Sequence, residues 1–184
     1  MNQVKKGDKL NLLRETNVIS VPYGLTVSLP KGELVEVMQA KGSTVSISHQ
    51  GRLYMVEGVN LDALGMQSIA RQVLAKGATN EQILDFAWKQ LRTCFDPEIP
   101  VNIVDLGLVY DMKIIDLIDG RKMLNIKMTL TAPGCGMGEV IAADARSKIL
   151  GAEDLSSVNT EIVFSPPWSR EMMSEDARLE LGMF

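Results

Sequence analysis

The sequence predicts an α/β domain in the order α-β-β-α-β-α over residues 78–184, preceded by a small β-rich, barrel-like domain over 1–60 and a linker over 61–77. Three observations predict it. Short apolar–polar alternations broken by glycine turns fill the first third of the chain. A capped amphipathic pattern opens after Gly77, and strand and helix periods then follow one another. No internal repeat or low-complexity stretch interrupts this rhythm.

In the first part, Leu25–Leu29, Glu33–Val37, Ser43–Ile47 and Arg52–Val56 each read as a short strand. Pro22-Tyr23-Gly24, Pro30-Lys31-Gly32, Lys41-Gly42 and Gln50-Gly51 separate them as turns. His49, beside Gln50-Gly51, is expected to be solvated at a turn. In the second part, Thr79 caps a helix and Gln82 completes a capping box. Ile83, Ala87 and Leu91 form its apolar stripe, with Leu84, Trp88 and Phe95 widening it, and Asp96-Pro97 ends it. Leu108–Leu117 and Leu124–Leu130 read as a strand pair around the turn Asp119-Gly120. Val140, Ile141, Ala145 and Ile149 give a second helix, Val158–Phe164 a third strand, and Ser174 caps a final short helix stopped by Gly182. Trp168, after a double proline, is expected to anchor the tail by packing.

Composition narrows the function. Of 184 residues, 46% are hydrophobic and 23% charged, the balance of a globular chain. A net charge of −4 gives no basic footprint for nucleic acid or an anionic membrane. No apolar run approaches the roughly 20 residues that span a bilayer. Met1–Asp8 has no apolar signal core, so a cytoplasmic location is expected. Two cysteines do not make a disulfide framework, and one histidine cannot complete a zinc site from Cys and His alone. Nor can two thiols supply the four cysteine ligands of an iron–sulfur cluster.

The residue with the most chemical freedom is Cys135, in the loop Pro133-Gly134-Cys135-Gly136 between a strand and a helix. The positive end of a helix favours thiolate, which is both nucleophile and metal ligand. The loop does not complete a dinucleotide fingerprint or a phosphate loop, and the chain offers no histidine near it as a base. Thr131 comes from the same strand end, while Cys94, Asp96 and Glu98 come from the end of the first helix. Convergence of these groups would suit iron or zinc with open positions, or an activated thiol. Other uses stay open for several of them: Cys94 as core, Asp96 as a helix stop, Thr131 as an ordinary strand residue. Asp105 reads as a turn or capping acid.

Three separated segments then resemble one family. Asp96–Tyr110, Met128–Cys135, and Pro166-Pro167-Trp168 with Met173-Ser174 and Ala177–Gly182 are similar to the signature of the SufT/PaaD-like iron–sulfur assembly domain. They cover roughly the last hundred residues, in the family's order. The β-rich first part, ending in Asp62-Ala63-Leu64-Gly65, resembles the extra domain of the longer SufT proteins. One departure is that Gly136 stands where the family often has proline, which loosens the loop.

The resemblance implies a non-catalytic factor for maturation of iron–sulfur proteins. Cys135 matches the family cysteine, and Asp96 and Glu98 match its acids. Iron or a cluster would be held transiently, with no permanently bound cofactor. Implied partners are a Suf-type scaffold or carrier and apo-client proteins, with a homodimer expected and no nucleic acid or membrane. An adaptor that contacts partners through Cys135 without touching metal is the alternative. A thiol-dependent enzyme is a second alternative, which the missing base disfavours.

Overall fold

The computed structural model describes residues 4–21, 23–96, 99, 101–131 and 138–183. The chain divides into two compact units, Met1–Arg71 and Gln72–Phe184.

The first unit is one antiparallel sheet of β1 (Lys9–Asn11), β2 (Thr16–Val21), β3 (Thr26–Leu29), β4 (Leu34–Lys41), β5 (Thr44–His49) and β6 (Arg52–Val56). Its spatial order is β1-β4-β5-β6-β2-β3. Two strands, β1 and β2, were not expected from the sequence. Among the described residues β1 and β3 are the edges of an open sheet, so the expected barrel-like closure is replaced by a sheet with two ends. The β5–β6 connection has two residues, Gln50 and Gly51, both at positive φ, as a tight hairpin turn requires. Val35, Val37, Val45, Ile47 and Tyr54 point into one core. The segment expected as a linker is divided. A 3-10 helix over Gly58–Leu64 buries Leu61, Ala63 and Leu64 in the first unit, while Leu74 bridges Ala152 in the second. His49 is not solvated. The residue is only 9% exposed, with Nδ1 3.1 Å from the Leu34 carbonyl and Nε2 3.4 Å from the Glu33 carboxylate.

The second unit is mixed α/β. Its elements run α1 (Asn80–Leu91), β7 (Val109–Asp116), β8 (Lys122–Met128), α2 (Gly138–Ile149), β9 (Leu155–Ile162), a 3-10 turn (Arg170–Met172) and α3 (Glu175–Glu180). The sheet order is β7-β8-β9, antiparallel between β7 and β8 and parallel between β8 and β9. A parallel neighbour needs a crossover, and α2 supplies it. The Thr79 hydroxyl accepts from Gln82 N at 3.2 Å, and the Gln82 side chain accepts from Thr79 N at 2.9 Å, closing the capping box. Ile83, Ala87 and Leu91 are fully buried in one core with Leu124, Ile126 and Met128 of β8. Helix α2 is buried almost all round, and its small residues Ala142, Ala143 and Ala145 let neighbours approach closely.

Candidate functional site at one end of the second sheet

The site follows from strand direction. Parallel β8 and β9 end side by side, with Met128 opposite Ile162, and β7 begins at the same end, with Val109 opposite Met128. Ligand sites of parallel sheets gather beyond such carboxyl ends. Thr131 and the segment leading to α2 leave from here. So does the chain after β9. The acid-bearing loop after α1 reaches the same end through its main chain. Phe95 bridges Asn102, Ile103 N donates to Cys94 O at 2.9 Å, and Leu108 N donates to Ile103 O at 2.9 Å. Thr129 N in turn donates to Leu108 O at 2.8 Å, tying this run to the end of β8.

The predicted site residues separate on inspection. Asp96 is 3% exposed, and its carboxylate accepts from Ile99 N at 2.9 Å, bracing the loop it sits in. Cys94 is 1% exposed and belongs to the core, the structural alternative of its two readings. Its thiol donates to Gln90 O at 3.6 Å, and Lys148 Nζ stands 3.7 Å away. Burial, and then the Asp144 carboxylate, push this thiol well above the ordinary range, so it is a poor source of thiolate. Thr131 is half-buried just past β8. Cys135, Glu98, Pro133, Gly134 and Gly136 lie outside the described residues. Among the described residues, no three His, Cys, Asp or Glu side chains form a group that could hold a metal ion.

The segment that carries Cys135 runs between the described residues Thr131 and Gly138. At its far end Gly138 opens α2. A Cβ there would lie 2.5 Å from the Leu130 side chain, so glycine permits the first turn of the helix to rest on the last residues of the strand region. Beside Leu130, Thr129 is fully buried, and its hydroxyl has no hydrogen-bond partner among the described residues. Sequence reading passed over Thr129. A buried hydroxyl without such a partner is an unusual, costly arrangement.

The Asp-Leu-Gly and Pro-Pro-Trp motifs form a clasp. Asn102 organises the turn: its side-chain oxygen accepts from Val104 N (3.1 Å) and Asp105 N (3.0 Å), and its amide donates to Asp105 at 2.6 Å. The chain after β9 then crosses this turn. Trp168 Nε1 donates to Leu106 O at 2.7 Å, Ser174 N to Asp105 O at 2.8 Å, and Tyr110 OH to Pro166 O at 2.9 Å. Gly107 has φ +72°, and a Cβ on it would lie 2.2 Å from Met172 O. Only glycine allows both the turn and the crossing.

Known proteins resemble this half of the chain. A family model described as iron–sulfur cluster assembly protein matches residues 87–162. An Fe-S protein maturation auxiliary factor from Porphyromonas gingivalis is 44% identical over 94 residues, which are 51% of this chain and 86% of that protein. The Fe-S protein maturation auxiliary factor SufT from Staphylococcus aureus is 36% identical over 88 residues, 48% of this chain and 96% of that protein. A crystal structure of a domain of unknown function from Bacillus anthracis has 34% identity and a TM-score of 0.47, covering 56% of this chain and 95% of its own.

Proposed function

Because this chain belongs to the iron–sulfur cluster assembly protein family, we propose that it is an auxiliary, non-catalytic factor for the maturation of iron–sulfur proteins. Its cargo is iron or a cluster, held briefly through Cys135 and passed to apo-proteins. The role that the relatives' names carry supports the maturation reading. One observation carries the role of the cysteine. The chain has two thiols, and Cys94 is buried in the core as a protonated thiol. That leaves Cys135 as the thiol for chemistry.

One thiolate cannot complete a cluster site, so the remaining ligands come from outside the chain. A second copy in a homodimer, a Suf-type scaffold or carrier, or the client's own cysteines would provide them. Few ligands of its own suit a factor that must let go. Among the described residues no helix is long and apolar enough to cross a membrane.

Anaerobic reconstitution with iron and sulfide, followed by visible absorption, tests the cargo step. The wild type is expected to gain a visible chromophore that Cys135→Ser lacks, and Cys135→Ser is expected to lose client maturation. If both proteins stay colourless while Cys135→Ser still loses maturation, the cargo role fails and an adaptor stands in its place. If Cys135→Ser matures clients as the wild type does, the cysteine has no part in the function.

A further inference from the structure

The second sheet has an open edge at β7. This strand pairs with β8 along one side, and among the described residues no strand and no other main-chain hydrogen bond reaches its far side. Over its 8 residues, every second N–H and C=O therefore faces outward, a template for another strand. Asp111–Ile115 also line a cleft of about 570 Å³, with Asn80 and Leu84 of α1 on its wall. The cleft leaves room for more chain beside β7.

The two faces of β7 differ. Met112 and Ile114 lie opposite Ile126 and Leu124 and pack on the core. Asp111 and Lys113 lie opposite Lys127 and Asn125 on the other face, with the Asp111 carboxylate 3.0 Å from Lys113 Nζ. Their side chains are 41% and 74% exposed, so both are open to a partner. Charges on an edge strand guard it against indiscriminate pairing. Here they also select a register. When two identical strands pair antiparallel, a two-fold axis through Met112 sets Asp111 opposite the partner's Lys113, and Lys113 opposite the partner's Asp111. An axis through Asp111 or Lys113 sets like charges face to face, and one through Ile114 sets each lysine against an isoleucine. Opposite charges directly across two strands stabilise the pair, and like charges destabilise it. The other edge, β9, carries no cation within Leu155–Ile162 and has no such self-complementary register.

We propose that β7 is a self-recognition edge: two copies of this chain pair antiparallel through it, in the register centred on Met112, and join their second sheets into one. Asp111 and Lys113 then form a ring of alternating charge across the axis on one face, while the Met112 side chains meet on the other. This goes beyond the maturation reading, since the pairing uses no cysteine and no cargo.

The test is sedimentation equilibrium of the full chain, with Asp111→Lys, Lys113→Asp and the exchanged double variant Asp111→Lys/Lys113→Asp. Far-UV circular dichroism checks that each variant is folded, as substitutions of exposed side chains should leave it. The wild type is expected to be a dimer. Each single variant turns both attractive pairs into repulsive ones and is expected to weaken self-association on the order of tenfold or more. The double variant is expected to restore the dimer. So is an equimolar mixture of the two single variants, because each supplies the charge that the other lacks. A wild type that stays monomeric would overturn the proposal and leave β7 to a different partner or to none. Single variants that dimerise like the wild type would overturn it as well, as would a mixture that associates no better than either variant alone. The maturation reading fails separately, through Cys135→Ser that matures clients normally.

Discussion

Replacing Gly107 with alanine should open the clasp over the Asp-Leu-Gly turn. The cost has two parts. At φ +72° an alanine adopts a left-handed conformation, worth roughly 1–2 kcal/mol. The new Cβ also falls 2.2 Å from Met172 O and 2.8 Å from Met172 C, and these are main-chain atoms that cannot rotate away. The crossing segment must lift, which stretches the bonds from Trp168 Nε1 to Leu106 O and from Ser174 N to Asp105 O. Each contributes about 1 kcal/mol net, so the whole effect is about 3–4 kcal/mol. That is a large share of a domain stability of about 5–15 kcal/mol. Gly120→Ala is the control: φ is +78° there, and nothing lies within 4 Å of a Cβ, so only the conformational part applies. Both tryptophans, Trp88 and Trp168, belong to the second unit, so fluorescence during urea unfolding follows that unit alone. With a slope of about 1.5 kcal/mol/M, Gly107→Ala should lower the midpoint by about 2 M and Gly120→Ala by about half that or less. A Gly107→Ala protein no less stable than Gly120→Ala would refute the clasp.

Three further outcomes follow from single contacts. Trp168→Phe keeps most of the ring packing but leaves Leu106 O without its donor, and should cost about 1 kcal/mol in the same unfolding assay; an unchanged midpoint would remove that bond from the clasp. In the first unit, Arg14 grips Asp62 through two contacts of 2.6 and 2.7 Å and holds its carboxyl down to about 2. A depressed carboxyl stabilises the fold above its unfolded value of 3.8, and that contribution disappears as pH falls through about 2. Carboxyl NMR titration of Arg14→Gln should return Asp62 towards the ordinary range, and a titration still centred near 2 would show that Arg14 is not the cause. Finally, Cys94 should resist iodoacetamide in the folded protein at pH 8 and react only in denaturant; native labelling at the rate of a free thiol would contradict its place in the core.

How much of this could be read from residue order depends on the range of each interaction. The start of α1 was legible because Thr79 and Gln82 complete their capping box three residues apart, and its stripe of Ile83, Ala87 and Leu91 repeats within the helix itself. The Gln50-Gly51 turn was legible for the same reason. Strand β1 was not. Its three residues, Lys9–Asn11, become a strand only because Leu34–Glu36 lie opposite. His49 was misread as solvated because its partners, Glu33 and the Leu34 carbonyl, sit across the sheet. In α2 the apolar period identified Val140, Ile141, Ala145 and Ile149. It gave no hint that Asp144 and Lys148 turn inward, since that is decided by the Thr93 carbonyl at the end of another helix. Thr131 was expected just past its strand, where it stands, while Cys94, open to either use, went to the core. A cysteine near the end of an amphipathic helix looks the same in sequence whether its turn faces a loop or the interior.

The burial of Cys94 has a chemical consequence for the maturation reading. A thiol that carries iron or a cluster is exposed to oxidation whenever its cargo has left. If a second reactive thiol stood nearby in the same chain, a disulfide would compete with reloading. Cys94 is unsuited to that reaction. It is enclosed among core side chains, its thiol is held in the protonated form, and Lys148, Asp144 and the Gln90 carbonyl occupy its polar contacts. An oxidised Cys135 would then have to be resolved by a thiol from another molecule, the same source that the proposed reading calls on to complete the ligand set of a cargo. On the proposed reading both needs would be met by contact with a partner, so the burial of one thiol and the short ligand supply of the other favour a cargo step completed at an interface.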